Sequence, residues 1–178
     1  ICPTVYGLDS PEFTTAAWLL GISHPPGHPL HALFGKLASF LPFGDIALRV
    51  SLLSALCGAL SSLALFAALS RFVRPIAALA LALAFAASHA VWFQSIRAEV
   101  YTLHAALICG ALAAITRGES AERARLVAAF LVGLALANHH YLTIVVIPGL
   151  VLLHAALFGR AALDARKLVR SGAFVVLG

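Results

Sequence analysis

The sequence predicts an all-α protein, a polytopic transmembrane helix bundle with two short interfacial helices in its first extracytoplasmic loop, and three observations carry that prediction. The 178 residues are 62% hydrophobic and 11% charged, against soluble averages of about 45–50% apolar and about 25% charged. Long uncharged apolar runs recur at lengths that suit a crossing, since about 30 Å of hydrocarbon takes roughly 20 helical residues. Nine of the twelve basic residues fall in three clusters between those runs: Arg71 with Arg74, Arg117 with Arg123 and Arg125, and Arg160 with Arg166, Lys167 and Arg170. Cytoplasmic loops collect Lys and Arg, so clusters set two crossings apart imply an orientation as well as a class. The protein is therefore expected to be multi-pass in the inner (plasma) membrane. Residues 1–44 form the extracytoplasmic loop and residues 45–178 the transmembrane bundle, together one membrane domain.

The outer segment comes first. Ser10-Pro11-Glu12 reads as a helix start and puts Phe13, Ala16, Ala17 and Leu20 on one face of a short interfacial helix. His24-Pro25-Pro26-Gly27-His28-Pro29 cannot be helical, because the prolines lack donors and restrict the residues before them. Pro29 then starts a second short helix with Leu33, Leu37 and Phe40 on one side, ending at Pro42 and Gly44. The first crossing is expected at about 46–70, ending at the first basic cluster. Pro75 suits the first turn of the next helix, where a missing N–H costs little, and that crossing runs to about residue 93. Arg97 and Glu99 interrupt the apolar pattern before a return at about 98–116.

The next uncharged run, 126–158, is 33 residues long, about 50 Å as one helix and too long for one crossing. Asn138, His139 and His140 lie near its centre, and a single helix would put the second and third basic clusters on opposite faces. Two short crossings at about 122–138 and 140–158 are expected instead, followed by a last one starting near Ser171, at 171–178. The chain begins with Ile1 and stops at Gly178 within an apolar segment, which reads as an excerpt of a longer protein with a further crossing upstream. No basic stretch followed by a short apolar core opens it, so its start is not a signal peptide.

The net charge of +5 needs no nucleic-acid partner, because the basic residues sit at helix ends and are used by the positive-inside pattern. Cys2, Cys57 and Cys109 form neither a disulfide framework nor a zinc spacing. Ionisable groups instead gather on the outer face. Asp9 and Glu12 precede an apolar helix, where a carboxylate could take a proton from a hydroxyl; the same spacing is close to a capping box, and spacing alone favours the cap. Arg97, in Gln94-Ser95-Ile96-Arg97-Ala98-Glu99-Val100-Tyr101, suits a lipid phosphate through forked hydrogen bonds, or else simply pairs with Glu99. Lys36 and Arg49 are the other cations outside the clusters, and the three together hint at an anionic ligand. Eight histidines invite a metal site, but prolines between His24 and His28 forbid helical ligand spacing, and adjacent His139 and His140 diverge. No metal or other cofactor is therefore expected, although a divalent ion is not excluded by composition. His89, His104 and His154 lie in apolar runs and read as interhelical hydrogen-bonders.

Four stretches carry a resemblance: GLDSPE, GISHPPGHPLHALFGKLASFLPFGDIALRVSLLSAL, QSIRAEVYTLHAAL and GLALANHHYLT. Together they resemble the protein O-mannosyltransferase-like membrane family, over nearly the whole chain. The resemblance implies a GT-C-type enzyme, in which a multi-pass glycosyltransferase takes a mannose-like sugar from a polyprenyl-phosphate donor at the extracytoplasmic face. The acceptor would be a protein or glycan hydroxyl, and the partners the lipid-linked sugar, that acceptor and the bilayer. By the resemblance Asp9 matches the catalytic base of an inverting displacement and Glu12 a second acidic position. His24 matches the turn after the first interfacial helix, and Arg97, Glu99 and Tyr101 match the second outer loop. His28, Lys36, Arg49, Asn138 and His139 complete the candidate substrate-binding set. Leu8, Pro11, His28 and His31 depart from the family's usual glycines and tyrosines, which bears on loop flexibility and acceptor preference. The rival expectation is a polytopic transporter or scaffold, whose polar residues would line a path through the membrane.

Overall fold

A computed structural model of the chain describes residues 1–159 and 164–178, so Arg160 of the third basic cluster lies outside the described residues. Among the described residues the protein is helical without strands. Helix α1 spans Ser10–Leu19, α2 Pro29–Ser39, α3 Ile46–Leu69, α4 Pro75–Ala87, α5 His89–Ser95, α6 Tyr101–Arg117, α7 Ala121–Phe158 and α8 Ala165–Leu177. Proline opens α2 and α4 and lies in the first turn of α1, where the ring replaces a donor that has no helical partner. Asp45 caps α3, its Oδ1 accepting the Leu48 N–H at 2.8 Å.

α3 and α7 are each long and apolar enough to cross a membrane, and α4 with α5 qualifies as a bent pair. The bend, 61° between α4 and α5, interrupts the span expected at 75–93. Ser88 leaves the helical region at φ −60°, ψ 142° and its side chain accepts the Val91 N–H, so it ends one helix and caps the next. α8 begins at Ala165, earlier than the expected start near Ser171, with the Asp164 side chain as its cap.

α7 is broken at His139, which sits at φ −157°, ψ 85°. Beyond that residue the chain folds back. His154 Nε2 lies 3.0 Å from the carbonyl oxygen of Ala121, although 33 residues of straight helix would separate them by about 50 Å. Leu150 of the second arm packs in the same cluster as Ala128 and Val132 of the first. α8 lies against the first arm, with Val175 joining that cluster and Arg125 Nε donating to Ser171 Oγ at 2.8 Å.

α3 packs on α6 through small residues, Ser51, Ser54, Cys57, Gly58 and Ser61 being buried on α3. Such residues let helices approach where lipid supplies no hydrophobic drive for association. α1 and α2 form a shelf at one end of this bundle. A Cβ on Gly35 would stand 2.6 Å from the Ala17 Cβ, so the two helices meet nearly backbone to backbone. α2 buries His31, Ala32, Gly35 and Ser39 and turns Leu33, Leu37 and Phe40 outward, an apolar outer face that suits a helix lying at a membrane surface.

Candidate functional site

The shelf, the loop of residues 96–100 and the break in α7 meet at one end of the bundle, and side-chain bonds to main-chain atoms hold them there. Ser10 Oγ of α1 donates to the Ala98 carbonyl at 3.0 Å. The Cys2 N–H donates to the Ile96 carbonyl at 2.7 Å, and the Glu99 N–H donates to Ser54 Oγ of α3 at 3.1 Å. Asn138 Nδ2, beside the break, donates to the Val100 carbonyl at 3.0 Å. His28 closes the circle, its Nδ1 lying 2.6 Å from the Asn138 carbonyl oxygen. A carbonyl only accepts, so this bond places the proton on Nδ1 and leaves Nε2 as the acceptor. Burial lowers the affinity of His28 for a second proton, against the pull of that carbonyl.

Within this frame Arg97 and Glu99 form a buried pair, Nη1 to Oε1 at 3.2 Å, with 4% and 1% of their surfaces exposed. Arg97 Nη2 also donates to Gln94 Oε1 at 2.8 Å. The guanidinium lies over the Phe93 ring at 4.1 Å and near Tyr6 at 5.8 Å, contacts that favour a weakly hydrated planar cation. Burial pushes the Glu99 carboxyl up to about 7, against the opposing pull of Arg97 and with a further upward push from Asp9. Arg97 Nε and Glu99 Oε2 are buried without hydrogen-bond partners.

Glu12 and His24 make a second, exposed pair. Glu12 Oε2 meets His24 Nδ1 at 3.0 Å, and Oε1 accepts the His24 N–H. The bond holds Glu12 below the usual carboxylate range and raises His24 above its ordinary value. Phe13 packs against three histidines, its ring centroid 5.4 Å from both His24 and His28 and 5.5 Å from His31, while the His24 and His28 rings meet edge to face at 5.7 Å. His31 is buried and driven down to about 4 by desolvation. His139, on the α7 break, completes the rim, its ring 5.3 Å from His28, 5.7 Å from Tyr101 and 6.0 Å from His104.

Asp9 differs from what the capping-box spacing favours. It occupies the N-cap position of α1, yet its side chain accepts no bond from the helix, and Glu12 spends its carboxylate on His24. Leu8, at φ 64°, turns the chain sharply just before it, and Asp9 stands exposed within electrostatic reach of His24, Glu99 and Tyr101. The end of the bundle thus gathers Asp9, Glu12, His24, His28, Arg97, Glu99, Tyr101, Asn138 and His139. Lys36 and Arg49 do not join them. Lys36 Nζ donates to the Trp18 carbonyl at 2.7 Å and sits over the Trp18 ring at 4.3 Å, fastening α2 to α1. Arg49 donates to the carbonyls of Phe43, Ser39 and Gly44 at 2.6, 2.6 and 2.8 Å, closing the end of α2. Of the three outer cations, Arg97 alone pairs with an acidic group of this region.

Ser10, Phe13, His31 and Gln94 belong to this region and were not among the candidate site residues. Phe13 and Gln94 carried a signal, the first on the expected face of α1 and the second three residues before Arg97. Ser10 and His31 act through a main-chain carbonyl and through burial, which leave no mark in the sequence. Among the described residues no group of three His, Cys, Asp or Glu side chains is placed to hold a metal ion.

The fold and this region define a helical membrane protein that gathers Asp9, Glu12, Glu99 and several histidines at one end of the bundle, away from its basic clusters. Residues 9–160 match the family described as the Protein O-mannosyl-transferase TMEM260 N-terminal domain, and the chain belongs to that family. It is 41% identical over 150 residues to the mouse (Mus musculus) Protein O-mannosyl-transferase TMEM260, covering 79% of this chain and 21% of that protein. It is 26% identical over 165 residues to the Dictyostelium discoideum protein of the same name, covering 82% of this chain and 20% of that one. The chain thus spans about a fifth of the length of these relatives. No solved structure matches it.

Proposed function

We propose that this chain is the membrane-embedded catalytic part of a GT-C-type glycosyltransferase, which moves a mannose-like sugar from a polyprenyl-phosphate donor to an acceptor hydroxyl on the extracytoplasmic face of the inner membrane. The observation that carries the reading is the state of Asp9, a carboxylate released from capping and exposed within electrostatic reach of Glu99, which pairs with the buried Arg97. The names of the mouse and Dictyostelium relatives support sugar transfer as the reaction class.

In the proposed step, an Asp9 carboxylate oxygen takes the proton of the acceptor hydroxyl as that oxygen bonds to the anomeric carbon. The bond from that carbon to the carrier phosphate breaks with inversion, and its electron pair leaves on the phosphate. Arg97 faces the departing charge, with Nε as the donor left without a hydrogen-bond partner and Nη1 held only by its ion pair with Glu99. Glu99 tempers this arginine: a carboxyl poised near 7 is partly neutral at working pH and then leaves the guanidinium charge to the phosphate. Glu12 fixes His24 at the rim, while Tyr101 and His139 offer ring faces for the sugar and the buried His28 and Asn138 hold the frame around them. A donor whose tail lies in the bilayer accounts for a site built on membrane helices. The test is Asp9→Asn in the full-length protein, read by mass spectrometry of surface glycoproteins and glycolipids. Transfer is expected to fall by roughly 10²–10⁴-fold, the usual worth of a general base. Full retention sinks the proposal.

A further inference from the structure

At the opposite end of the bundle, where the basic clusters lie, a crevice of about 120 Å³ opens between the two arms of α7 and α8. Its walls are apolar, built from Ile115, Ala128, Val132, Ile147 and Leu150, with Leu168 and Val151 at the open side. Arg125 reaches this crevice and also borders an adjoining basin of about 410 Å³, whose other charged residues are Glu122, Arg166, Lys167 and Arg170. The basin therefore carries four cations to one carboxylate, and Glu122 is already paired with Arg170.

Arg125 is the unusual group. It is 9% exposed, its Nε donates to Ser171 Oγ at 2.8 Å, and among the described residues no carboxylate lies within ion-pairing distance of it. A cation buried against apolar walls ordinarily carries a counter-charge, because desolvation without one costs several kcal/mol. Here the fold supplies a hydroxyl and an apolar slot side by side. Positive-inside topology explains cations at this end of the helices, but it asks for exposed ones and does not account for a buried one at the junction of a slot and a basin.

We infer that this end of the bundle is a binding site for one anionic phospholipid, with its phosphate at Arg125 in the basic basin and part of an acyl chain in the crevice. Both halves of an amphiphile are matched at adjoining places, the charge by Arg125 and Arg166 and the chain by Ala128, Val132 and Leu150. Basic pockets between transmembrane helices are a known way of holding such headgroups. The lipid would brace α8 against the α7 hairpin, where Arg125 bonds to Ser171 and Arg170 pairs with Glu122. The site is remote from Asp9 and does not depend on the transfer reaction.

The test uses the full-length protein purified in detergent and titrated with dioleoyl phosphatidylglycerol, dioleoyl phosphatidylcholine or inorganic phosphate. Bound lipid is counted by native mass spectrometry, and the thermal midpoint is followed in parallel. One phosphatidylglycerol is expected to bind and raise the midpoint, with phosphatidylcholine and phosphate doing neither. Arg125→Gln is expected to weaken it roughly tenfold, the loss of one charge-assisted hydrogen bond. Because that buried position could unfold when altered, Arg166→Gln at the exposed basin and Val151→Phe at the crevice mouth serve as further variants; each is expected to lower occupancy without lowering the lipid-free midpoint. Equal binding of phosphatidylcholine, full competition by phosphate, undiminished occupancy in Val151→Phe, or a cross-link placing another segment of the protein in the crevice would each overturn the inference.

Discussion

Glu99 is a buried acid beside a buried base, and its titration is the most direct check on how this site is built. Its carboxyl is raised from an ordinary value of 4.5 to about 7, mainly because burial penalises the charged form. The folded protein therefore holds this proton more tightly than the unfolded chain does. The stabilisation is fully present below about pH 4.5 and is lost as pH rises through about 7. A shift of that size corresponds to about 3 kcal/mol, at about 1.4 kcal/mol for each unit. Replacing Glu99 with Gln removes the titration and leaves Arg97 in place, so the two proteins differ in the slope of stability against pH, whatever constant offset the substitution adds. The assay has two arms. Infrared difference spectra of the full-length protein should show a carboxylic-acid band that disappears near pH 7 and is absent from Glu99→Gln. Thermal unfolding in detergent should show the wild type losing stability relative to the variant between pH 4.5 and 7. Parallel stability profiles, or a band already gone by pH 5, would refute the argument and mean that Arg97 holds Glu99 ionised throughout.

Two further outcomes follow from the same geometry. Gly35→Ala puts a methyl group 2.6 Å from the Ala17 Cβ, which no side-chain rotation can relieve; overpacking of this kind costs about 1–3 kcal/mol, and a lower thermal midpoint with increased proteolysis of residues 10–39 is the expected reading. Glu12→Gln should return the His24 titration to lower pH, because its Nδ1 bond to that carboxylate is the largest cause of its raised value. In the wild type the pair is charged only above the Glu12 transition and below that of His24, and loses its attraction as pH leaves that window on either side. Histidine NMR resonances of the two proteins measure the shift, and an unmoved His24 titration would mean that the pair does not form in solution.

Much of the helical framework was legible because its causes are local. Proline at the starts of α2 and α4, Asp45 before α3 and the apolar runs of α3 and α7 announce themselves within a few residues. The bend at Ser88 was hidden because neither proline nor glycine marks it, although a serine followed three residues later by the N–H it caps is a usable signal. The outer cations misled for a different reason. Lys36 and Arg49 satisfy main-chain carbonyls of Trp18, Ser39, Phe43 and Gly44, and every residue type offers the same carbonyl. A sequence shows which side chains can bind an anion; it does not show which of them a helix end has already engaged.

The same distinction explains why the capping-box spacing of Asp9 and Glu12 points the wrong way. A capping box needs its second acid to reach back to the N-cap residue, and in this chain that acid is drawn off by His24, twelve residues on, just before Pro25 and Pro26. With Glu12 engaged and Leu8 held at positive φ, α1 begins without a side-chain cap, at a cost of about 0.5–2 kcal/mol relative to a capped start. Ser10 offsets part of that by bonding to Ala98, which ties the uncapped end of α1 to the loop that carries Arg97. The same bond joins the residue after Asp9 to the residue after Arg97. Replacing Ser10 with Ala should disturb the spacing of Asp9 and Arg97 even though its hydroxyl touches neither side chain.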